Sequence, residues 1–201
     1  MTQVIDEQFY IPRIPVNIVV LPDGATEAFA LRSLLEDFGC SVQTHWTGTP
    51  GDFLKVLAQG DNAPRYLVIA GHGGEAGSFY VGEYADFIDT SMVQDQHLPP
   101  ETIAPVINLP GCLVISTACR SGGPEMAEAF FQNKALGGYM ACRIGPNGTA
   151  MLVFMMNFFF GLFGKKLSER EAWRQAVKAT DHPDIDQVSY FGPDGVEERY
   201  A

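Results

Sequence analysis

Short apolar runs alternate with stretches whose apolar residues recur every three or four positions, and this alternation repeats along most of the chain. Val16–Leu21 (VNIVVL) is a nearly continuous apolar run closed by Pro22-Asp23-Gly24, which predicts a strand and a turn. Over Thr26–Phe38, Ala28, Leu31, Leu34, Leu35 and Phe38 share one side of a helix that Gly39 stops. Cys40–Trp46 alternates as a strand near a sheet edge does, and Asp52–Gln59 reads as a short helix. Tyr66–Ala70 (YLVIA) and Leu113–Thr117 (LVIST) are apolar runs of the kind buried on both faces of a parallel sheet. Gly77–Ile88 carries two glycines among Phe79, Tyr80, Val81, Tyr84 and Phe87, more like a hairpin than a helix. Pro100–Ile107 and Glu125–Asn133 read as short helices, Gly138–Cys142 (GYMAC) as a fifth strand and Val188–Phe191 as a last one. Six strands and about five helices predict a single α/β domain over residues 1–201, a mostly parallel six-stranded sheet with helices on both faces.

Met151–Phe163 (MLVFMMNFFFGLF) is apolar nearly all round but only 13 residues long. Spanning a bilayer takes about 20 apolar residues, so no membrane span is expected. The stretch continues into GKKLSEREAWRQAVKA, and the whole reads as a buried helix, bent or split near Gly164. Its surplus of Phe and Met suggests a homodimer or protein-partner surface.

Hydrophobic residues make up 46% of the 201 and charged residues 18%, which is enough for a sizeable core and excludes disorder over most of the length. Thirteen basic against 24 acidic residues give a formal charge of −11. That field repels polyanions, and the longest basic run is Lys165-Lys166, so a nucleic-acid partner is not expected. Cys40, Cys112, Cys119 and Cys142 form no C-x-x-C pair, and His45, His72, His97 and His182 fall at no zinc-finger spacing. Neither a metal nor another cofactor is expected. Met1–Tyr10 has Asp6 and Glu7 and no basic leader pattern, which predicts a cytoplasmic, reducing location with free thiols.

Two buried-looking strands run into reactive residues. One continues as Ala70-Gly71-His72-Gly73-Gly74, the other as Ser116-Thr117-Ala118-Cys119-Arg120-Ser121-Gly122-Gly123. Parallel strands joined by crossovers present their carboxyl ends at one sheet edge, where open α/β sheets place their sites. If these strands are neighbours, His72 and Cys119 meet just above that edge. A helix start near Glu125, Arg120 and an imidazole all favour the nucleophilic form of the Cys119 sulfur. The amides of Gly73 and Cys119 are the natural oxyanion hole. The bland readings are a small buried hydrophobe for a cysteine, the one preferred for Cys40, Cys112 and Cys142, and a hydrogen-bonded loop residue for a histidine. The paired placement favours the functional reading for His72 and Cys119.

At these residues the chain resembles the caspase-like (clan CD) cysteine peptidases. Their caspase members carry Q-A-C-[RQG]-G with a His about 50 residues upstream. Here Thr117-Ala118-Cys119-Arg120 is followed by Ser121-Gly122, and His72 lies 119 − 72 = 47 residues upstream. The resemblance is closer to CHAT domains, with their His-Gly strand end and later Ser-Ala-Cys-x-Thr-Gly. The spacing of Leu98 and Ile103, and of Ala172, Ala176 and Ala179, echoes further features of those domains. It covers roughly Val16 to Gly192. It implies a caspase-like three-layer sandwich and a cysteine endopeptidase acting on polypeptides through an acyl-thioester, with His72 as general base and acid and Cys119 as nucleophile. Thr117 stands where caspases have Gln and metacaspases Asp, so neither preference at P1, the residue before the scissile bond, carries over. The short stretch after Cys119 leaves no room for a long cleavable linker.

Alternatives remain at this stage. A catalytically silent binding or scaffold module could use the same fold. A flavodoxin-like nucleotide-binding domain would fit Gly71-x-Gly73-x-x-Ala76, although that motif does not follow the first strand and a hairpin, not a helix, is expected after it. Three residues are candidates for the substrate pocket: Asp23, Thr117 and Arg143. Asp23 either lines the pocket, orients His72 or simply shapes its turn. Arg143, ending the fifth strand, is the one full charge the sequence places deep in the pocket, and it points to an acidic or uncharged P1 residue. His97 sits in a polar stretch with no evident partner.

Overall fold

The computed structural model describes residues 13–132 and 135–200. The stretch Met1–Tyr10 and the expected helix end at Asn133 lie outside the described residues.

β1 (Pro15–Val20), β2 (Ser41–Trp46), β3 (Tyr66–Ala70), β6 (Leu113–Ser116) and β7 (Gly138–Cys142) are mutually parallel in the order β2-β1-β3-β6-β7. β8 (Val188–Phe191) and β9 (Glu197–Glu198) extend the sheet antiparallel beyond β7. The sheet therefore has seven strands and not six. The additional strand is two glutamates long, too short and too polar to carry a periodic signal. Glu198 is fixed by ion pairs to Arg170 and Arg174, and Glu197 by Arg199 and the Ser189 hydroxyl. The expected hairpin forms differently: β4 (Phe79–Tyr80) pairs with β5 (His97–Leu98) as a separate two-stranded ribbon, leaving Tyr84 and Phe87 in the connection.

Side chains alternate faces along each strand, so each face carries its own core. Val16, Ile18 and Val20 of β1 and Val68 of β3 face α1 (Ala25–Asp37), α5 (Gly148–Phe159) and α6 (Glu169–Thr180). Val19, Leu67 and Ile69 face α2 (Pro50–Leu57), α3 (Pro100–Ile103) and α4 (Pro124–Phe131). This is the mixed α/β sandwich expected, a mostly parallel sheet with helices on both sides.

The long apolar stretch breaks where expected. α5 ends in a π-type turn over Phe160–Gly164, and α6 restarts with a capping box between Ser168 and Glu171. Most of its surplus is spent within the chain: Met151, Phe154, Met155, Phe158, Phe159, Leu162 and Phe163 are buried, with Val153, Met156 and Phe160 left partly exposed. Among the described residues no helix is long and apolar enough to cross a membrane.

Candidate active site

The central pair of the sheet sets the geometry. β3 and β6 run parallel with Tyr66 opposite Leu113 and Ile69 opposite Ser116, and the Thr117 amide donates to the Ile69 carbonyl at 3.0 Å. The loops that follow therefore leave from adjacent points of one edge, and they touch. A Cβ placed on Gly73 would lie 2.2 Å from the Cys119 carbonyl oxygen and 3.1 Å from the Cys119 amide nitrogen. A side chain cannot fit there, so the glycine brings the backbone beside exposed His72 directly onto that of Cys119. The ribbon holds this loop from the side. The Tyr80 amide donates to the His72 carbonyl at 3.0 Å, and the Gly74 amide to the Ser78 carbonyl at 2.8 Å. Behind it sits His97, whose Nδ1 lies 2.6 Å from the Asp95 carbonyl and whose ring stacks edge-on to Tyr80. His97 is a structural support, in a strand too short to have been read from the sequence.

The Cys119 turn is held from below and from the neighbouring strand. Arg120 adopts φ +60°, a left-handed conformation that a non-glycine residue holds only where its surroundings enforce it. Its amide donates to the Ile144 carbonyl at 2.9 Å, and the Gly122 amide to the Cys142 carbonyl at 2.8 Å. Fully buried Ser121 has its hydroxyl 2.7 Å from both Ser116 Oγ and the Ala118 carbonyl, while the Tyr139 hydroxyl donates to the Ser121 carbonyl at 2.8 Å. Burial raises the Tyr139 phenol, so it stays a donor. Above this base the Cys119 sulfur faces exposed Gly145, where an added Cβ would sit 3.5 Å from Sγ. Among the described residues, the amides of Gly73 and Cys119 donate to no protein acceptor.

The other cysteines differ in kind. Cys40, Cys112 and Cys142 are buried, and desolvation pushes their thiols up, to about 12 for Cys112 and about 11 for Cys142. Cys119 alone of the four is partly open to solvent.

The candidate pocket residues separate. Thr117 is nearly buried, with its hydroxyl 3.1 Å from the Ile69 carbonyl and donating to Glu27 Oε2 at 2.9 Å. Asp23 is exposed at φ +65°; the next residue, Gly24, packs so tightly that a Cβ would lie 2.4 Å from the Ala70 carbonyl oxygen. Its side chain makes no hydrogen bond among the described residues, which fits a turn former at the rim. Arg143 is not the pocket's free charge. Its Nε pairs with Glu197 at 3.5 Å and its amide donates to the Gln187 carbonyl, both on the β8–β9 side.

A further charge at this edge, which the sequence reading passed over, is Glu27. It stands in the first turn of α1, four residues before buried Leu31, so helical periodicity alone turns it inward. Desolvation pushes its carboxyl up to about 7 against the opposing hydrogen bond from Thr117. No cation pairs with it among the described residues.

Among the described residues no group of three or more His, Cys, Asp or Glu is placed to hold a metal ion. The Gly71-x-Gly73-x-x-Ala76 stretch leads into a short 3₁₀ turn and β4 rather than a helix, so the helix N-terminus that a dinucleotide phosphate needs is not there.

No family model matches the chain, and no curated protein does. Among solved structures, a secreted C11 cysteine protease from Bacteroides thetaiotaomicron, "iotapain", superposes with a TM-score of 0.55 at 11% sequence identity, covering 92% of this chain and 68% of that one. The chain thus shares the fold of that protease, a mostly parallel sheet with helices on both faces. The likeness runs to a C11 protease; the comparisons offer nothing for a CHAT domain, and the similar protein is a secreted one.

Proposed function

We propose that the chain is a caspase-like cysteine endopeptidase with a His72–Cys119 dyad. One observation carries the reading: the loops after β3 and β6 are pressed together at Gly73 and Cys119, at the carboxyl edge of the sheet, with two undonated amides beside the only partly open cysteine. Cys119 Sγ attacks the scissile carbonyl, giving a tetrahedral oxyanion that the Gly73 and Cys119 amides receive. His72 takes the thiol proton and passes it to the leaving amine as the C–N bond breaks, leaving an acyl-thioester. His72 then draws a proton from water, hydroxide adds to the thioester carbonyl, and collapse expels the Cys119 sulfur and frees the new carboxylate.

Glu27 is held by Thr117, two residues before the nucleophile. A half-buried carboxylate without a cation favours a P1 lysine or arginine, the reverse of the preference drawn from Arg143. The test is labelling by a peptidyl acyloxymethyl ketone with P1 arginine, together with turnover of fluorogenic peptides. Cys119→Ala is expected to abolish both, and His72→Ala to abolish turnover, with the fold intact by circular dichroism. Full turnover by a clean Cys119→Ala preparation overturns the mechanism.

A further inference from the structure

A groove of about 600 Å³ opens between α3 and α4, on the side of the molecule that carries the His72 loop. Its floor is apolar: Pro100 and Ala104 come from the α3 side, and Ala129 and Phe131 from α4. Its rim is acidic, with Glu101, Glu125 and Glu128 all exposed. None of the three has an ion-pair partner among the described residues, and no lysine or arginine lines the groove. The near end is Ala76, held at φ +51°. The next residue, Gly77, is packed so closely that a Cβ would lie 2.8 Å from the Arg120 carbonyl oxygen and 3.3 Å from the Met126 side chain. The groove thus begins on the segment that joins the His72 loop to the Cys119 turn, and Glu125 stands in the first turn of the helix that follows Cys119.

Charge selects the occupant. A second copy of this chain carries −11 and would be repelled, as would a nucleic acid or an anionic membrane. A carboxylate rim around an apolar floor complements side chains that alternate lysine or arginine with leucine-sized residues. We infer that the α3–α4 groove is a docking surface for a basic, amphipathic polypeptide segment. The surface rests on its own lining and does not require Cys119 to be catalytic. In a substrate it would engage residues outside the stretch held at the cleavage point, adding affinity where the reaction itself gives none.

The experiment is fluorescence anisotropy with two labelled ten-residue probes, one alternating lysine and leucine and one alternating glutamate and leucine. The whole 201-residue chain carries Cys119→Ala to prevent turnover, with the unaltered chain alongside. The lysine probe is expected to bind and the glutamate probe not to. A Glu101→Gln/Glu125→Gln/Glu128→Gln triple variant, confined to exposed positions, should weaken binding at least tenfold. A triple neutralisation at Glu36, Asp37 and Glu83, away from the groove, should change it less than twofold. Ala104→Trp, filling the floor at a partly exposed position without altering charge, should also weaken binding. Equal losses from both triple variants would mean diffuse attraction to an acidic protein and would overturn the assignment, as would unchanged binding in Ala104→Trp. Loss of binding in the groove variant with no peptidase activity in the unaltered chain would sink the proposed mechanism and leave the docking surface standing.

Discussion

Replacing Glu27 with glutamine removes a charge while keeping the shape and one acceptor for the Thr117 hydroxyl. If the carboxylate receives a P1 guanidinium, the lost charge-assisted contact is worth about 1.5–3 kcal/mol, or roughly 10- to 150-fold in kcat/KM. With its carboxyl pushed up to about 7, Glu27 is about one-tenth ionised at pH 6 and about nine-tenths at pH 8. The clean readout is a ratio, kcat/KM for a P1 arginine peptide over that for the matching P1 citrulline peptide, which is isosteric and neutral. Ionisations common to both reactions affect the two substrates equally and cancel, and kcat/KM reports groups of the free enzyme. The ratio should rise about five- to tenfold from pH 6 to 8 in the unaltered chain and stay flat and low in Glu27→Gln. Thr117→Val removes the hydrogen bond that lowers the Glu27 carboxyl, so its midpoint should move to higher pH. A ratio flat with pH in the unaltered chain, or unchanged by Glu27→Gln, would refute the placing of this carboxylate in the pocket.

Glu27 also gives a stability signature: its carboxyl is higher folded than at its ordinary 4.5, so ionisation opposes folding increasingly from about pH 4.5 to about 7 and constantly above. Glu27→Gln should therefore raise Tm at pH 8 and leave it unchanged at pH 4, as followed by calorimetry; the reverse order contradicts the burial argument. Gly73→Ala should cut the rate of Cys119 labelling at least 100-fold, because the new Cβ meets the Cys119 carbonyl oxygen at 2.2 Å; a variant within tenfold of normal would show that the contact can relax. Brief iodoacetamide treatment of the folded chain at pH 7.5 should modify Cys119 alone by peptide mass mapping, since the other three thiols are buried and raised. Trp173→Ala should cost about 3–5 kcal/mol in urea unfolding, since the side chain is fully buried and its indole N–H donates to the Val188 carbonyl at 3.1 Å.

Four of the five parallel strands were legible as apolar runs buried on both faces and the edge strand β2 by its alternation, and the site candidates because two of the apolar runs end in His-Gly and Ala-Cys. Composition was blind to β5 and β9, two residues each, whose pairing depends on what lies opposite. It was also blind to the difference between Arg143 and Glu27. An arginine at a strand end looks free in sequence, yet β9 brings Glu197 to it from 54 residues away. Glu27 looked like an ordinary first-turn acid of a surface helix. The spacing to Leu31 was the signal that it faces inward, and only the path of Thr117 shows what it meets there.

The ties from Arg120 to Ile144 and from Gly122 to Cys142 make the nucleophile's turn part of the sheet's own ladder. A turn borne on a free loop can loosen while the rest of the molecule stays intact, and activity is then lost at a lower temperature than structure. Here the turn cannot let go without unzipping the end of β7, and the Tyr139 hydroxyl anchors it from inside that same strand. Reactivity and architecture belong to one cooperative unit, so on heating they should disappear together in one transition rather than one ahead of the other.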